Sequence, residues 1–167
     1  YGDHRDLHLS IRRQRQMCIR DSNNIVLHKN PLQVSQVKFK DFYLKDIEVN
    51  KNDGKIKVIN FWATWCRPCR KEMPMLNGVF LSQDPSDFSV VGIAIDKPEK
   101  VTQFVAELGI DFPIMVGQSE AYDVMKALGN EALTLPYTIL IDEEGEVVWS
   151  KNTELKHSDM DEVLGIQ

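Results

Sequence analysis

Apolar residues recur along the chain in two spacings that predict an alternation of strands and helices. The run IKVINFW at Ile56–Trp62 is almost continuously apolar and rich in β-branched and aromatic residues, which is typical of a strand buried on both faces. The run SVVGIAID at Ser89–Asp96 has the same character. Between these strands, Arg67–Leu81 is predicted to be a helix with Met73 and Leu76 on its apolar face.

Two further helices are predicted downstream from apolar residues at positions i, i+3, i+4 and i+7. The first occupies residues 101–108 and is followed by Gly109, a common helix stop signal. The second occupies residues 121–128, with Ser119 as its expected N-cap. A short strand, Ile114–Val116, is predicted between them.

The remaining pattern predicts strands near both ends of the sequence and a terminal helix. Tyr137–Asp142 and Glu146–Ser150 are close enough to form an antiparallel hairpin. Ser158 is expected to open the last helix with Asp161 as a capping partner, and Val37–Tyr43 predicts an edge strand. Strands alternating with helices, followed by a hairpin, favour an α/β fold with a mixed β-sheet flanked by helices.

Residues 1–22 differ in composition from the rest of the chain. They carry five Arg and three Asp, whereas the remainder carries 15 basic and 22 acidic residues. The run RRQRQMCIRDS resembles translated sequencing-adapter read-through; a basic amphipathic arm and an ordinary native extension are the alternatives. We therefore expect a non-native or disordered leader at 1–22 and one domain at 23–167, with no role for Cys18. On this interpretation a native export signal or membrane anchor was lost with the true N-terminus.

Length and charge narrow the classes of function. A chain of 167 residues with 43% hydrophobic and 27% charged residues is large enough for one domain with a sizeable core. Its formal net charge of -5 argues against nucleic acid or an anionic membrane surface as a partner, because both require clustered Lys and Arg. No apolar run reaches the roughly 20 residues that cross a bilayer.

Cys66 and Cys69 stand where the first predicted strand meets the first predicted helix. Free N–H groups and the helix dipole favour a thiolate at that position, so Cys66 is expected to attack disulfides. Cys69, one turn later, is placed to displace a mixed disulfide and close the intramolecular bridge. Pro68 fits the first helical turn, where no N–H is required.

Two other interpretations of the cysteine pair are possible. A structural zinc site requires four ligands, but the chain has three Cys, one of them in the leader, and His28 and His157 lack metal-site spacing. An inert buried pair is disfavoured because Cys66 is expected at an exposed turn. No metal is therefore expected.

The segments VINFWATWCRPCRKEMP, VVGIAID and LPYTILIDEEGEVV together resemble the TlpA/ResA-type thiol-disulfide oxidoreductases of the thioredoxin superfamily, over roughly Val34 to Leu164. The resemblance implies a thioredoxin-like fold with an extra central strand and helix, for which Ser89–Leu108 supplies candidates. It implies reduction of disulfides in extracytoplasmic, periplasmic clients, including apocytochromes c. It also implies an upstream thiol-disulfide electron donor and no cofactor beyond the Cys66–Cys69 disulfide. We expect a monomer.

The resemblance also assigns site residues. It places a cis-proline at Pro136, where the backbone of Leu135 would pair with an extended client segment like an added strand. Asn60 stands where thioredoxin has a buried Asp. Unlike that Asp, the side chain of Asn60 cannot accept a proton. Glu72 matches an acid thought to assist proton transfer in ResA-like proteins; the alternative is a solvated acid stabilised by the helix dipole.

The remaining candidates lie around the cysteine pair. Trp65, Arg67 and Pro68 are expected to contact client proteins, and by analogy the Arg67–Pro68 pair suggests a moderate to reducing centre. Trp62 is predicted to belong to the core and Trp149 to pack in the sheet.

Two other functions compete with the reductase. Peroxiredoxins require Pro-x-x-x-Thr-x-x-Cys, but Ile59 and Ala63 occupy the required Pro and Thr positions here. A client-binding module without turnover would use the groove at Pro136 alone, and retention of both thiols argues against it. The sequence does not give the direction of transfer; the resemblance favours a reductase.

Overall fold

The computed structural model describes residues 53–164 and, as backbone, the strand segments 25–33, 38–39 and 47–48. The predicted leader and Cys18 lie outside these residues, so their interpretation stays a prediction. None of the helices among the described residues is long and apolar enough to cross a membrane.

The chain alternates strands and helices, as the apolar pattern predicted. In chain order the elements are β1 (Ile25–Gln33), β2 (Lys38–Phe39), β3 (Ile47–Glu48), β4 (Ile56–Trp62), α1 (Arg67–Ser82), β5 (Phe88–Ala94), α2 (Pro98–Leu108), β6 (Ile114–Val116), α3 (Glu120–Ala127), β7 (Tyr137–Ile141), β8 (Glu146–Lys151) and α4 (His157–Leu164). The strand and helix at 88–108 match the predicted elements, and their assignment as a TlpA-type insertion stays a prediction.

Six strands form one mixed sheet in the order β1-β8-β7-β4-β5-β6. β4 is parallel to β5 and β5 to β6, whereas β4–β7, β7–β8 and β8–β1 are antiparallel. The predicted mixed α/β sheet and the β7–β8 hairpin are therefore confirmed.

β4 lies in the centre of the sheet and is buried along its whole length. Its alternate residues Val58 and Trp62 belong to one hydrophobic cluster, and Ile59 and Phe61 belong to another. Because successive side chains of a strand point to opposite faces, the two clusters cover the two faces of the sheet. The prediction of a strand buried on both faces is confirmed.

α1 packs one side against the sheet. Its buried residues are Cys69, Glu72, Met73 and Leu76, which follow the helical spacing. Cys69, Met73 and Leu76 belong to the same cluster as Trp62. Glu72 is therefore a buried acid in an otherwise apolar stripe, which rules out the alternative of a solvated acid.

The edge of the sheet differs from the prediction. The outer strand is β1, which pairs with β8 and which the apolar pattern did not reveal. β1 contains Pro31, which has no N–H to donate to a neighbouring strand. Proline is therefore confined to edge strands, where one side needs no partner. Of the predicted edge strand Val37–Tyr43, the described part is Lys38–Phe39, which pairs with β3 in a separate two-stranded sheet.

The N-terminal capping contacts of α3 and α4 also differ from the prediction. Ser119 stands at the N-cap of α3 but makes no capping hydrogen bond with its side chain. α4 begins at His157, and the carboxylate that accepts the N–H of Lys156 at 2.7 Å is that of Asp159, not Asp161. Asp159 lies three residues after Lys156, and its carboxylate accepts the Lys156 N–H as the acid of a capping box does.

Candidate active site

The turn from β4 to α1 places Cys66 at the N-cap of the helix. The N–H of Cys66 donates to the carbonyl of Ala63 at 3.1 Å, and Cys66 O accepts the N–H of Arg70 at 3.1 Å. Cys66 Sγ accepts the N–H of Cys69 at 3.4 Å, and Pro68 lies in the first turn. The sulfur therefore occupies the position predicted for it, next to the free N–H groups of the helix.

Cys66 and Cys69 are joined as a disulfide with an S–S distance of 2.09 Å. Cys69 is fully buried and Cys66 is 5% exposed. The expectation that Cys66 lies at an exposed turn is therefore wrong for this form. Both residues belong to the hydrophobic cluster of Trp62 and Met73. The two sulfurs are therefore packed into the core in the oxidised form.

Asp96, two residues after the end of β5, anchors the turn that leads to Cys66. The hydroxyl of Thr64 donates to Asp96 Oδ2, and the N–H of Lys97 donates to Oδ1 at 2.7 Å. Burial acts to raise the pKa of Asp96, but the hydrogen bonds from Thr64 and Lys97 outweigh it and the pKa is lowered. The sequence carries one usable signal for this anchor, an acid at the end of the predicted strand next to β4, but it was not among the predicted site residues.

Glu72 lies one turn beyond Cys69 and is 1% exposed. Its Oε1 accepts a hydrogen bond from Asn60 Nδ2 at 2.7 Å, and its Oε2 accepts the N–H of Leu155 at 2.7 Å. Burial raises the pKa of Glu72 to about 7, while these two hydrogen bonds act in the opposite direction. The site therefore contains a carboxyl group that can gain or lose a proton near neutral pH.

Pro136 lies at the same end of the sheet as the cysteine pair. The Leu135–Pro136 peptide bond is cis, as predicted. β7 begins at the next residue, and its first pair with β4 joins Tyr137 to Phe61. Pro136 is therefore beside the point where β4 ends and the turn to Cys66 begins.

The other predicted contact residues differ in exposure. Trp65 is 63% exposed, Arg67 is exposed and Pro68 is half-buried. Trp62 and Trp149 are buried, which confirms their predicted places in the core and the sheet. Within the described part of the chain, no cluster of His, Cys, Asp and Glu could hold a metal ion.

The sequence profile of the Redoxin family matches residues 31–164. The chain belongs to the Redoxin family. This Redoxin-family protein is 30% identical over 121 residues to the thiol-disulfide oxidoreductase ResA of Bacillus thuringiensis subsp. konkukian, covering 72% of this chain and 68% of that one. The predicted resemblance is thus confirmed, and the Redoxin-family chain is a thiol-disulfide oxidoreductase whose Cys66–Cys69 pair is at disulfide distance.

Solved structures share the fold of this Redoxin-family chain. A DsbF homologue from Corynebacterium diphtheriae superposes with a TM-score of 0.74 at 20% identity, covering 90% of this chain and 98% of that one. A secreted thiol-disulfide isomerase from Corynebacterium glutamicum superposes with a TM-score of 0.72 at 18% identity, covering 89% and 93%. The thioredoxin-like fold is therefore confirmed.

Proposed function

We propose that this protein reduces disulfides in extracytoplasmic client proteins, with Cys66 as the nucleophile and Cys69 as the resolving thiol. The observation that carries the assignment is the unequal placement of the two sulfurs. Cys66 is at the helix N-cap and keeps 5% of its surface exposed, whereas Cys69 is fully buried. A client disulfide can reach the first sulfur and not the second.

The reaction proceeds in two exchanges. The Cys66 thiolate attacks one client sulfur, the client S–S bond breaks, and the second client sulfur leaves as a thiolate. The Cys69 thiolate then attacks Cys66 Sγ, which forms the Cys66–Cys69 disulfide and releases the first client sulfur. The client gains two electrons and two protons, and an upstream dithiol donor returns the protein to its reduced form.

Glu72 is proposed to take the proton of the Cys69 thiol before the second exchange. The two residues are three positions apart on the buried side of α1, where neighbouring side chains meet. Burial holds the pKa of Glu72 at about 7, so its carboxylate can accept a proton and later release it at neutral pH.

The client is proposed to bind along the end of the sheet. The backbone of Leu135, next to Pro136, would pair with an extended client segment. Trp65, Arg67 and Pro68 would contact the client beside Cys66. Apocytochromes c are one proposed class of client, and the description of one structural neighbour as secreted supports the extracytoplasmic location.

Trapping and a redox titration test the assignment. With insulin as the client, Cys69→Ser should accumulate a mixed disulfide through Cys66, and Cys66→Ser should form none. The midpoint potential of the wild-type pair should lie well below about -120 mV, the value of a strong oxidant. A mixed disulfide that formed with Cys66→Ser but not with Cys69→Ser would show that Cys69 is the nucleophile. A midpoint potential near that of the strong oxidant would show that the protein oxidises its clients.

A further inference from the structure

The side-chain amide of Asn60 is completely buried, but only its nitrogen forms hydrogen bonds. Nδ2 donates to Glu72 Oε1 at 2.7 Å and to Thr138 Oγ1 at 2.9 Å. Oδ1 has no hydrogen-bond partner among the described residues. Buried polar atoms in folded proteins are almost always paired, so an unpaired carbonyl oxygen next to Glu72 is unusual.

The observed orientation of Asn60 matches an ionised Glu72. The Asn60 NH₂ group and the N–H of Leu155 can only donate, and a carboxylate can accept both. Thr138 Oγ1 completes the arrangement by accepting the second amide hydrogen.

Protonation of Glu72 changes what Asn60 must do. Oε2 faces a backbone N–H, which cannot accept a hydrogen bond, so the proton is directed to Oε1. There it would meet the amide hydrogens of Asn60. A half-turn of the carboxamide puts Oδ1 in that place, where it accepts from Glu72 Oε1–H and from the hydroxyl of Thr138. The number of hydrogen bonds is unchanged, because Oδ1 has no partner to give up.

We propose that Asn60 is a positioning residue that rotates its carboxamide with the protonation state of Glu72, and that Thr138 is the pivot of this rotation. The hydroxyl of Thr138 accepts in one state and donates in the other. The proposal rests on the proton-transfer role of Glu72 proposed above. It explains how a buried acid can exchange a proton while its carboxyl group keeps its hydrogen bonds to Asn60 and to the N–H of Leu155 in either state.

The charged groups around this carboxyl group come from three elements besides the loop before α4. Lys151 of β8 favours its ionised form and Glu154 favours its protonated form. Lys151 is itself paired with Asp159 of α4 at 2.6 Å, and Glu154 with Lys71 of α1 at 3.6 Å. On α1 the neighbouring side chain is Cys69, one turn away, which does not titrate while it is joined to Cys66. The fixed charges therefore act in opposite directions, and the amide is the neighbour that can change its role.

The rotation is tested by nuclear magnetic resonance on the full oxidised chain between pH 5 and pH 9. The side-chain ¹⁵N–¹H₂ signals of Asn60 should shift with the same midpoint as the carboxyl ¹³C signal of Glu72, and should be insensitive to pH in Glu72→Gln. Asn60 signals that stay constant while Glu72 titrates in the wild type would overturn the proposal.

A matched pair at position 138 tests the pivot. Thr138→Val removes the hydroxyl, which forms a hydrogen bond with Asn60 in both states, so the Glu72 midpoint should stay at the wild-type value; if the hydroxyl only accepted, its loss would raise the midpoint by roughly half to one pH unit. Thr138→Ser keeps the hydroxyl and should keep the wild-type midpoint and pH profile of kcat/KM. A midpoint that rises in Thr138→Val but not in Thr138→Ser would remove Thr138 as the pivot.

Activity measurements separate this inference from the proposed function. If Glu72→Gln leaves the pH profile of kcat/KM unchanged while Asn60 still follows Glu72 in the wild type, the rotation is supported and the catalytic role of Glu72 is wrong. If the profile changes in Glu72→Gln but Asn60 does not respond to pH in the wild type, the catalytic role is supported and the rotation is wrong.

Discussion

The backbone N–H of Leu155 donates a 2.7 Å hydrogen bond to Glu72 Oε2 across the protein interior. The contact joins the helix that carries both cysteines to the segment that enters α4. Glu72 is thus both a candidate proton acceptor and a structural link, and its protonation state must affect the stability of the fold.

We expect the oxidised protein to lose stability as pH rises from about 4.5 to about 7. Burial raises the pKa of Glu72 from 4.5 to about 7. Below this interval both the folded and the unfolded chain hold the proton, and within it only the folded chain does. The free energy of unfolding therefore falls with rising pH, by about 3 kcal/mol from this residue, and is level above the interval.

Urea unfolding of the wild type and Glu72→Gln at a series of pH values measures this contribution. The difference in unfolding free energy between the two proteins should decline across the interval, because Gln has no proton to lose. A difference that is constant with pH would show that Glu72 is not the buried titrating group.

Trp65→Ala should weaken client binding without weakening the fold. Trp65 is 63% exposed and directly precedes Cys66, so little packing is lost, whereas the client contact proposed for Trp65 disappears. We expect KM for a protein disulfide to rise about tenfold, the effect of removing an aromatic anchor from an interface. The unfolding free energy should change by less than about 0.5 kcal/mol.

Leu81→Ala is the matched control for Trp65. Leu81 is also 63% exposed but stands at the opposite end of α1. KM should stay at the wild-type value in this variant. An equal rise in both variants would mean that the client does not select the cysteine end of the helix.

Gly92→Ala should destabilise the protein by about 1–3 kcal/mol through overpacking. A Cβ at Gly92 would lie 2.6 Å from Ile114 Cδ1 and 3.0 Å from both Phe112 Cε2 and Trp62 Nε1. The isoleucine methyl can move, but the two rings are held by the core. Chemical denaturation of the variant measures the loss.

Gly78→Ala provides the contrasting substitution. Gly78 is exposed in α1, and no heavy atom lies within 4 Å of its Cβ position. The helix should gain up to about 1 kcal/mol from the better propensity of alanine. Similar losses at both glycines would contradict the steric explanation.

Lys151→Met should cost about 3 kcal/mol or more of stability. Lys151 Nζ lies 2.6 Å from Asp159 Oδ2, and both side chains are at most 10% exposed. Removing the cation leaves a buried carboxylate without its counter-charge.

Lys71→Met is the control. The Lys71–Glu154 pair has an N–O distance of 3.6 Å and is exposed, and such pairs contribute less than about 1 kcal/mol. Thermal unfolding should show a clear loss of stability in Lys151→Met and none in Lys71→Met.

The central part of the fold was predictable because its signals are local. β4 is continuously apolar, α1 has a helical stripe, and the cysteines stand between them in the sequence. The outer strand β1 was not predictable in the same way. It has neither clean alternation nor a continuous apolar run, and its partner β8 lies more than 100 residues later in the chain.

The surroundings of Glu72 show the same limit for the site. Its identity as a candidate came from a resemblance, but its burial and its partners depend on long-range packing. Asn60 is 12 positions away and Leu155 is 83 positions away. The second contact is made by a backbone N–H, which every residue except proline possesses, so no sequence pattern could indicate it.

Trp65 stands in water beside the sulfur pair, whereas Trp62 and Trp149 are enclosed. The light emitted by an indole depends on the polarity around it and on nearby sulfur groups that quench it. A client that covers Trp65 removes water from that ring and leaves the environment of Trp149 in the sheet unaltered. The chain thus carries an intrinsic optical reporter at its redox centre, with which the arrival of a client can be timed without an attached dye.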